Sequence, residues 1–287
     1  MPSDSTVNPT VFGPIGVFDS GFGGLSVLND IRKRLPAYDY IYLGDNARAP
    51  YGSRSFEMVY QFTLQAVREL FSRGCPLVIL ACNTASAKAL RSIQQRDLPT
   101  SDDPTRRVLG VIRPTVESIA GTSKTNHIGI LATPGTIASR SYDIEISHLH
   151  PHFVTTGHAC PLWVHLIENG VADTPGAAYF IKTDIEQLLA ADPDIDTVIL
   201  GCTHYPLIID KIRQYMPANI QLISQGDIVA ESLADYLQRH PEMTRRLSYN
   251  PSGSGQVEYL TTEKSEKFDS LASLFVGHDV KSRSISL

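Results

Sequence analysis

Two segments of the 287-residue chain nearly repeat each other, VILACNT ending at Thr84 and VILGCTH ending at His204, so Cys82 and Cys202 occupy equivalent places 120 residues apart. In each copy an apolar run rich in β-branched residues has the pattern of a strand buried on both faces, and small polar residues then open an amphipathic helix. Each sulfur is therefore expected at the carboxyl end of a parallel strand. In open α/β sheets that end is where ligands bind, and the helix N-terminus that follows favours an anionic thiolate. Two thiols placed alike point to a two-sided acid–base site.

Strand and helix patterns alternate along most of the chain, which predicts the α/β class with parallel βαβ units. The first strand is IGVF at 15–18; a glycine-rich turn follows, then a helix through Leu25, Leu28 and Ile31 that ends before Pro36. Ser55 is placed to cap a long helix with Val59, Phe62, Ala66 and Leu70 on its apolar face, and Gly74 ends it. The stretch 97–107, DLPTSDDPTRR, has no periodicity and reads as a loop before the strand VLGVI. IGILATPG from Ile128 then resembles IGVFDSG from Ile15, 113 positions earlier, a spacing close to the 120 between Val78 and Val198. This internal duplication predicts two similar lobes with mainly parallel sheets flanked by helices, related by a pseudo-twofold, with an active site in the cleft between them. Residues 1–114 with 227–287 are expected to form the first lobe, on the Cys82 side, and 115–226 the second, on the Cys202 side. The tail, with strand QLIS, helix VAESLADYL and a hairpin-like QVEYLTT, is too short for a third domain and is expected to complete the first lobe.

A net charge of −5 and a pI near 6.0 give no basic surplus for nucleic acid or an anionic membrane, so a small molecule is the expected partner. Cys75, Cys82, Cys160 and Cys202 form no CxxC pair, and the opening MPSDSTVNPT has neither a charged nor an apolar signal region. No apolar run approaches the ~20 residues of a membrane span. Reduced thiols in a cytoplasmic protein are expected.

Inverting the α-carbon of an amino acid requires a proton to leave one face and another to arrive on the opposite face. Thiols suit both tasks, one starting ionised and the other protonated. Free cysteine is equally at home as an inert core residue, which is the reading for Cys75 and Cys160. Asp19 and Ser20 end the first strand, next to the Cys82 strand in a doubly wound order, and the carboxylate there could assist the thiol, although Asp-Ser is also an ordinary turn. His204 could assist Cys202 from the other lobe, or serve as a plain polar side chain. Asn83, Thr84 and Thr203 are natural helix caps whose polar groups also face where a substrate carboxylate would sit. In DSGFGGL a GxGxxG match from Gly21 would need glycine where Ser26 stands, so the turn fits close approach to a small anion better than a dinucleotide, despite Asp45 further on. His148, His150 and His152 in HLHPH read as loop residues before a strand and no metal site is expected; no Walker A lysine motif or HExxH is present.

The segments FDSGFGGLSVL, GDNARAPYG, ACNTASA, ACPLWVHLIENG and GCTHYPL together resemble glutamate racemase, a bacterial cofactor-independent enzyme family, from about Ile15 to beyond Pro206. The resemblance implies that Cys82 and Cys202 are the two catalytic bases, Cys82 facing the α-proton of the D-enantiomer and Cys202 that of the L-enantiomer. It implies substrate contacts at Asp19, Ser20, Tyr51, Gly52, Asn83, Thr84, Thr203 and His204, and support of the thiols by Asp19, Glu168 and His204. Glu168, Tyr51 and Gly52 rest on the resemblance alone. It further implies no cofactor or metal, a homodimer, and D-glutamate supply for peptidoglycan. The N-terminal extension and the charged loop around Asp102 depart from the compact family pattern without touching these motifs. A related racemase acting on aspartate, a Cys202–His204 nucleophilic hydrolase and a two-lobed binding protein stand as alternatives.

Overall fold

The computed structural model describes residues 12–287; the expected extension and absent signal fall on 1–11, outside the described residues. The strands, in chain order, are β1 (Ile15–Asp19), β2 (Tyr40–Gly44), β3 (Leu77–Leu80), β4 (Arg107–Gly110), β5 (His127–Ala132), β6 (Val154–Ala159), β7 (Thr197–Gly201), β8 (Gln221–Ile223), β9 (Val257–Thr261) and β10 (Ser282–Ser284). They form two sheets, ordered β10-β9-β2-β1-β3-β4 and β6-β5-β7-β8. All neighbouring strands run parallel. The duplication is visible in this order: β2-β1-β3-β4 of the first sheet corresponds to β6-β5-β7-β8 of the second. The IG strand lies inside each sheet, and the strand leading to cysteine pairs with it.

Apolar side chains pack both faces of each sheet in four clusters, and burying each aliphatic side chain contributes ~1.5–3 kcal/mol. The repeated IG dipeptide has a packing reason. A Cβ on Gly16 would stand 3.2 Å from a methyl of Leu70, and one on Gly129 would stand 3.0 Å from a methyl of Leu188. Those leucines belong to helices Phe56–Ser72 and Pro175–Ala191, so in each lobe a long helix lies close over the central strand. Ser55 caps the first of these helices, accepting from Met58 N at 3.3 Å, and Gly74, with φ of 87°, follows its end.

The chain passes from first sheet to second through helix Ile112–Ser118 and returns after β8 through Gln225. Helix Gly226–Arg239 then packs on helix Gly24–Arg34 of the first lobe. Three expectations need correction. QLIS does not help complete the first lobe: as β8 it pairs with β7 in the second sheet. QVEYLTT is no hairpin: β9 lies parallel between β2 and β10, with helix Ser265–Val276 as the crossover. The 97–107 stretch starts helical, in turns Ile93–Asp97 and Leu98–Thr100, and its irregular part is held by Asp103 paired with Arg246. Among the described residues no helix is long and apolar enough to cross a membrane.

Where the chain enters the second lobe, Asp196 beside β7 accepts hydrogen bonds from Ser123 Oγ at 2.6 Å, Lys124 N at 2.6 Å and Thr125 N at 3.0 Å. Burial alone would raise the Asp196 carboxyl pKa, but these donors, the Ser123 hydroxyl foremost, pull it down to about 2. A depressed carboxyl stabilises the fold fully above its unfolded value near ~3.9 and loses that contribution as pH falls toward 2. Asp196→Asn is therefore expected to lower stability at pH 7 by about 1 kcal/mol after solvent screening, with a smaller deficit at pH 3. Urea unfolding at both pH values checks this, and an equal deficit at the two would contradict it.

Candidate active site

The carboxyl ends of the two sheets enclose a cavity of about 80 Å³ whose walls carry both Cys82 and Cys202. At ~10–15 Å³ per enclosed water, such a space holds a small molecule and excludes a polymer. Each sulfur reaches it as the repeat predicts. Ala81 N bonds to Phe18 O at 2.8 Å, carrying β3 one residue further, and Cys82 then caps helix Asn83–Lys88 with Ala85 N 3.5 Å from its sulfur. Cys202 follows β7 directly, and the chain turns through Thr203 and His204 into helical turn Tyr205–Ile208.

The surroundings of the two sulfurs differ. Cys82 Sγ lies 3.4 Å from Ser20 Oγ. Burial and the nearby Asp19 push its thiol up to about 12, against the opposing Ser20 hydroxyl and Ala85 amide. Cys202 Sγ lies 3.8 Å from His204 Nδ1, and His204 Nε2 lies 3.0 Å from Glu168 Oε1. Burial alone would lower the imidazole pKa, but the Cys202 sulfur and Glu168 carboxylate outweigh it and hold the ring up at about 10. At neutral pH the site thus pairs a protonated thiol on one wall with an imidazolium beside the sulfur on the other.

The other sequence-derived residues gather around these two centres. Ser20, Tyr51, Gly52, Asn83, Thr84, Glu168, Thr203 and His204 all line the cavity. Asp19 stands behind the wall: it is fully buried, Gly21 N donates to its Oδ2 at 2.9 Å, and Thr203 Oγ1 reaches its Oδ1 at 3.5 Å. Burial raises its carboxyl pKa, with His204 and the Gly21 and Gly24 amides opposing. Tyr51 has its hydroxyl committed to Asp45, which also takes Arg48 Nε at 2.7 Å and Thr262 Oγ1 at 2.8 Å. The bond from Tyr51 to Asp45 ties down the turn that carries Gly52, and Gly135 N bonds Gly52 O from the other lobe at 2.7 Å.

Thr133 and His165 also line the cavity and were not singled out from sequence, and Cys160, expected to be an inert core residue, lines it too. Thr133 follows β5, and Cys160 follows β6. The strand-end rule used for Cys82 and Cys202 applies equally to them, so the signal was present. His165 shares a helix face with Glu168, one turn earlier. Cys75, by contrast, is buried in the core away from the cleft. Two of the HLHPH histidines are engaged locally: His150 Nε2 lies 3.0 Å from Val116 O and its ring stacks on Phe153, which His152 meets edge-on. Among the described residues no lysine or arginine side chain lines the cavity, and the lining residues offer amides, hydroxyls and imidazoles to anionic groups of a ligand.

Comparison with known proteins agrees with this architecture. Residues 15–233 match the Asp/Glu/Hydantoin racemase family. The chain belongs to that family. Among its relatives, the glutamate racemase of Ruegeria sp. strain TM1040 is 40% identical over 276 residues, covering 93% of this chain and 97% of the relative. A crystal structure of a Bacillus anthracis glutamate racemase isoform superposes with a TM-score of 0.86 at 32% identity, covering 96% of this chain and 98% of that one. The Francisella tularensis glutamate racemase, solved in complex with D-glutamate, gives 0.83 at 29% identity, with 96% and 97% covered. An aspartate racemase of Picrophilus torridus, 20% identical with a TM-score of 0.54, shares the fold alone. The protein is an amino-acid racemase, an isomerase, and not the hydrolase or binding protein that the sequence left open.

Within this racemase the DSGFGG turn serves contact between lobes. A Cβ on Gly23 would fall 2.3 Å from Thr203 Oγ1 and 2.5 Å from His204 Nδ1, and one on Gly21 would fall 3.2 Å from Glu168 Oε1. The glycines let the second lobe bring its imidazole against the first. Gly23→Ala is expected to displace Thr203 and His204 and to lower kcat/KM by about 10²-fold, the effect of a misplacement near 1 Å. Steady-state kinetics on folded protein checks this; an unaltered kcat/KM would show that the close approach does not set the site.

Proposed function

We propose that the enzyme interconverts L- and D-glutamate with two cysteines, Cys202 taking the α-proton of the L-enantiomer and Cys82 that of the D-enantiomer. The observation that carries this is the pair of buried sulfurs, at matching strand ends of opposite lobes, in one small cavity. In the L-to-D direction a Cys202 thiolate, facing imidazolium as counter-charge, removes the α-proton. The resulting planar carbanion then takes the proton of the Cys82 thiol on its opposite face. The enzyme is left with Cys202 protonated and Cys82 ionised, the form that runs the reverse reaction or resets by exchange with solvent. His204 and Glu168 support one sulfur; Ser20 and Asp19 support the other. Ser20, Gly52, Asn83, Thr84, Thr203 and His204 would hold the substrate.

The reaction as proposed needs no cofactor, because the two sulfurs carry both proton transfers. The family resemblance carries with it a cytoplasmic homodimer that supplies D-glutamate for peptidoglycan. Cys202, His204 and Glu168 also stand in the order of a nucleophile, base and carboxylate, but that reading leaves Cys82 idle.

Purified protein freed of metal and pyridoxal is expected to racemise D-glutamate, followed by circular dichroism, and not D-aspartate. Cys82→Ser and Cys202→Ser should each lower the rate by about 10²–10⁴-fold. Full activity in either variant would rule out the two-thiol mechanism, and racemisation of aspartate alone would overturn the substrate assignment.

A further inference from the structure

Behind the cleft wall a chain of buried polar groups joins Asn83 to both connections between the lobes. Asn83 follows Cys82, Thr115 lies on the outgoing connection, Tyr142 in the second lobe and Gln225 on the return. None is more than 3% exposed, so each hydrogen has to be placed.

The Val111 carbonyl can only accept, and the Thr115 hydroxyl donates to it at 2.7 Å. Thr115 Oγ1 is then an acceptor for Gln225 Nε2 at 2.9 Å, and the same nitrogen donates to Tyr142 Oη at 2.9 Å. Gln225 Oε1 is thereby turned toward Asn83 and accepts from its Nδ2. Tyr142 passes its own hydrogen to Asn83 Oδ1 at 2.7 Å. A flipped Asn83 amide would set oxygen against oxygen at Gln225, a buried conflict the chain of donors forbids. The second Nδ2 hydrogen has no acceptor among the described residues, and Asn83 lines the cavity.

We propose that Thr115, Gln225 and Tyr142 are positioning residues that lock Asn83 with an N–H offered to the cleft, making this point of the site selective for a substrate carboxylate. A backbone carbonyl outside the cavity thus sets the polarity of a group within it. A ligand without an acceptor there would leave the amide hydrogen buried and unpaired, which disfavours it. The inference rests on the racemase reading of the cavity.

The test is a double-mutant cycle in the full-length enzyme, with KM and kcat for both glutamate enantiomers and a thermal midpoint for every variant. Thr115→Val and Tyr142→Phe are each expected to raise KM about fivefold with kcat within about twofold, the loss of one oriented hydrogen bond. In an Asn83→Ala background the same substitutions should add less than about twofold, because they act through Asn83. Thr115→Ser, which keeps the hydroxyl, should retain a wild-type KM. Equal KM penalties in both backgrounds would overturn the proposal. So would a fall in kcat or thermal midpoint with KM unchanged, or an Asn83→Ala enzyme with wild-type KM. A wild-type protein that racemises neither glutamate nor aspartate would instead overturn the reading of the cavity itself.

Discussion

A thiol buried at the end of a strand ionises only where neighbouring charge or dipoles replace the hydration it has lost. The cleft is organised around that constraint, met differently on its two walls. On the Cys82 side the neighbour is the Asp19 carboxyl, and burial with that charge favours the neutral thiol. On the Cys202 side the neighbour is an imidazole kept protonated between sulfur and Glu168. A neutral thiol on one wall and an imidazolium beside the sulfur on the other give the asymmetry that the proposed proton removal on one face and delivery on the other requires. The duplicated scaffold supplies the placement, and the residues after each cysteine supply the asymmetry. Asn83 and Thr84 follow the first sulfur, whereas Thr203 and His204 follow the second.

The same constraint explains why small residues crowd the contact between lobes. The His204 ring has to come within reach of both Cys202 and Glu168 while lying against the first lobe, and Gly21 and Gly23 leave the space. Asp19 meets Thr203 across that contact, and Ser26 Oγ reaches Thr203 O at 3.3 Å. Within the first lobe, Lys88 of the helix capped by Cys82 donates to Arg54 O at 2.7 Å and so steadies the turn whose Gly52 O meets Gly135 N of the second lobe. Packing of the lobes and electrostatics of the site are therefore one problem.

Much of this was legible because parallel sheets buried on both faces write continuous apolar runs, and their ends write polar ones. The repeat around Cys82 and Cys202 located both sulfurs, and IG at Ile15 and Ile128 located the strands beside them. Thr133 and Cys160 could have been found by the same rule but carry no repeated motif. Glu168 was reached only through family resemblance, since nothing local to HLIENG shows that its carboxylate meets His204. The parallel pairing of β9 was misread because a short strand after Asn250 and Gly255 looks like half a hairpin. The buried chain through Thr115, Tyr142 and Gln225 leaves no trace in periodicity, because its members lie on separate elements and meet only in the fold.

The most direct test of the central claim is the fate of the α-proton. Starting from each glutamate enantiomer in heavy water, early turnover should yield opposite-hand product carrying deuterium at the α-carbon while unreacted substrate stays protiated, because one sulfur removes the proton and the other supplies solvent-derived deuterium. Product that retains the original proton, or substrate that exchanges before it inverts, would mean that a single base serves both faces, and would contradict the assignment of separate roles to Cys82 and Cys202.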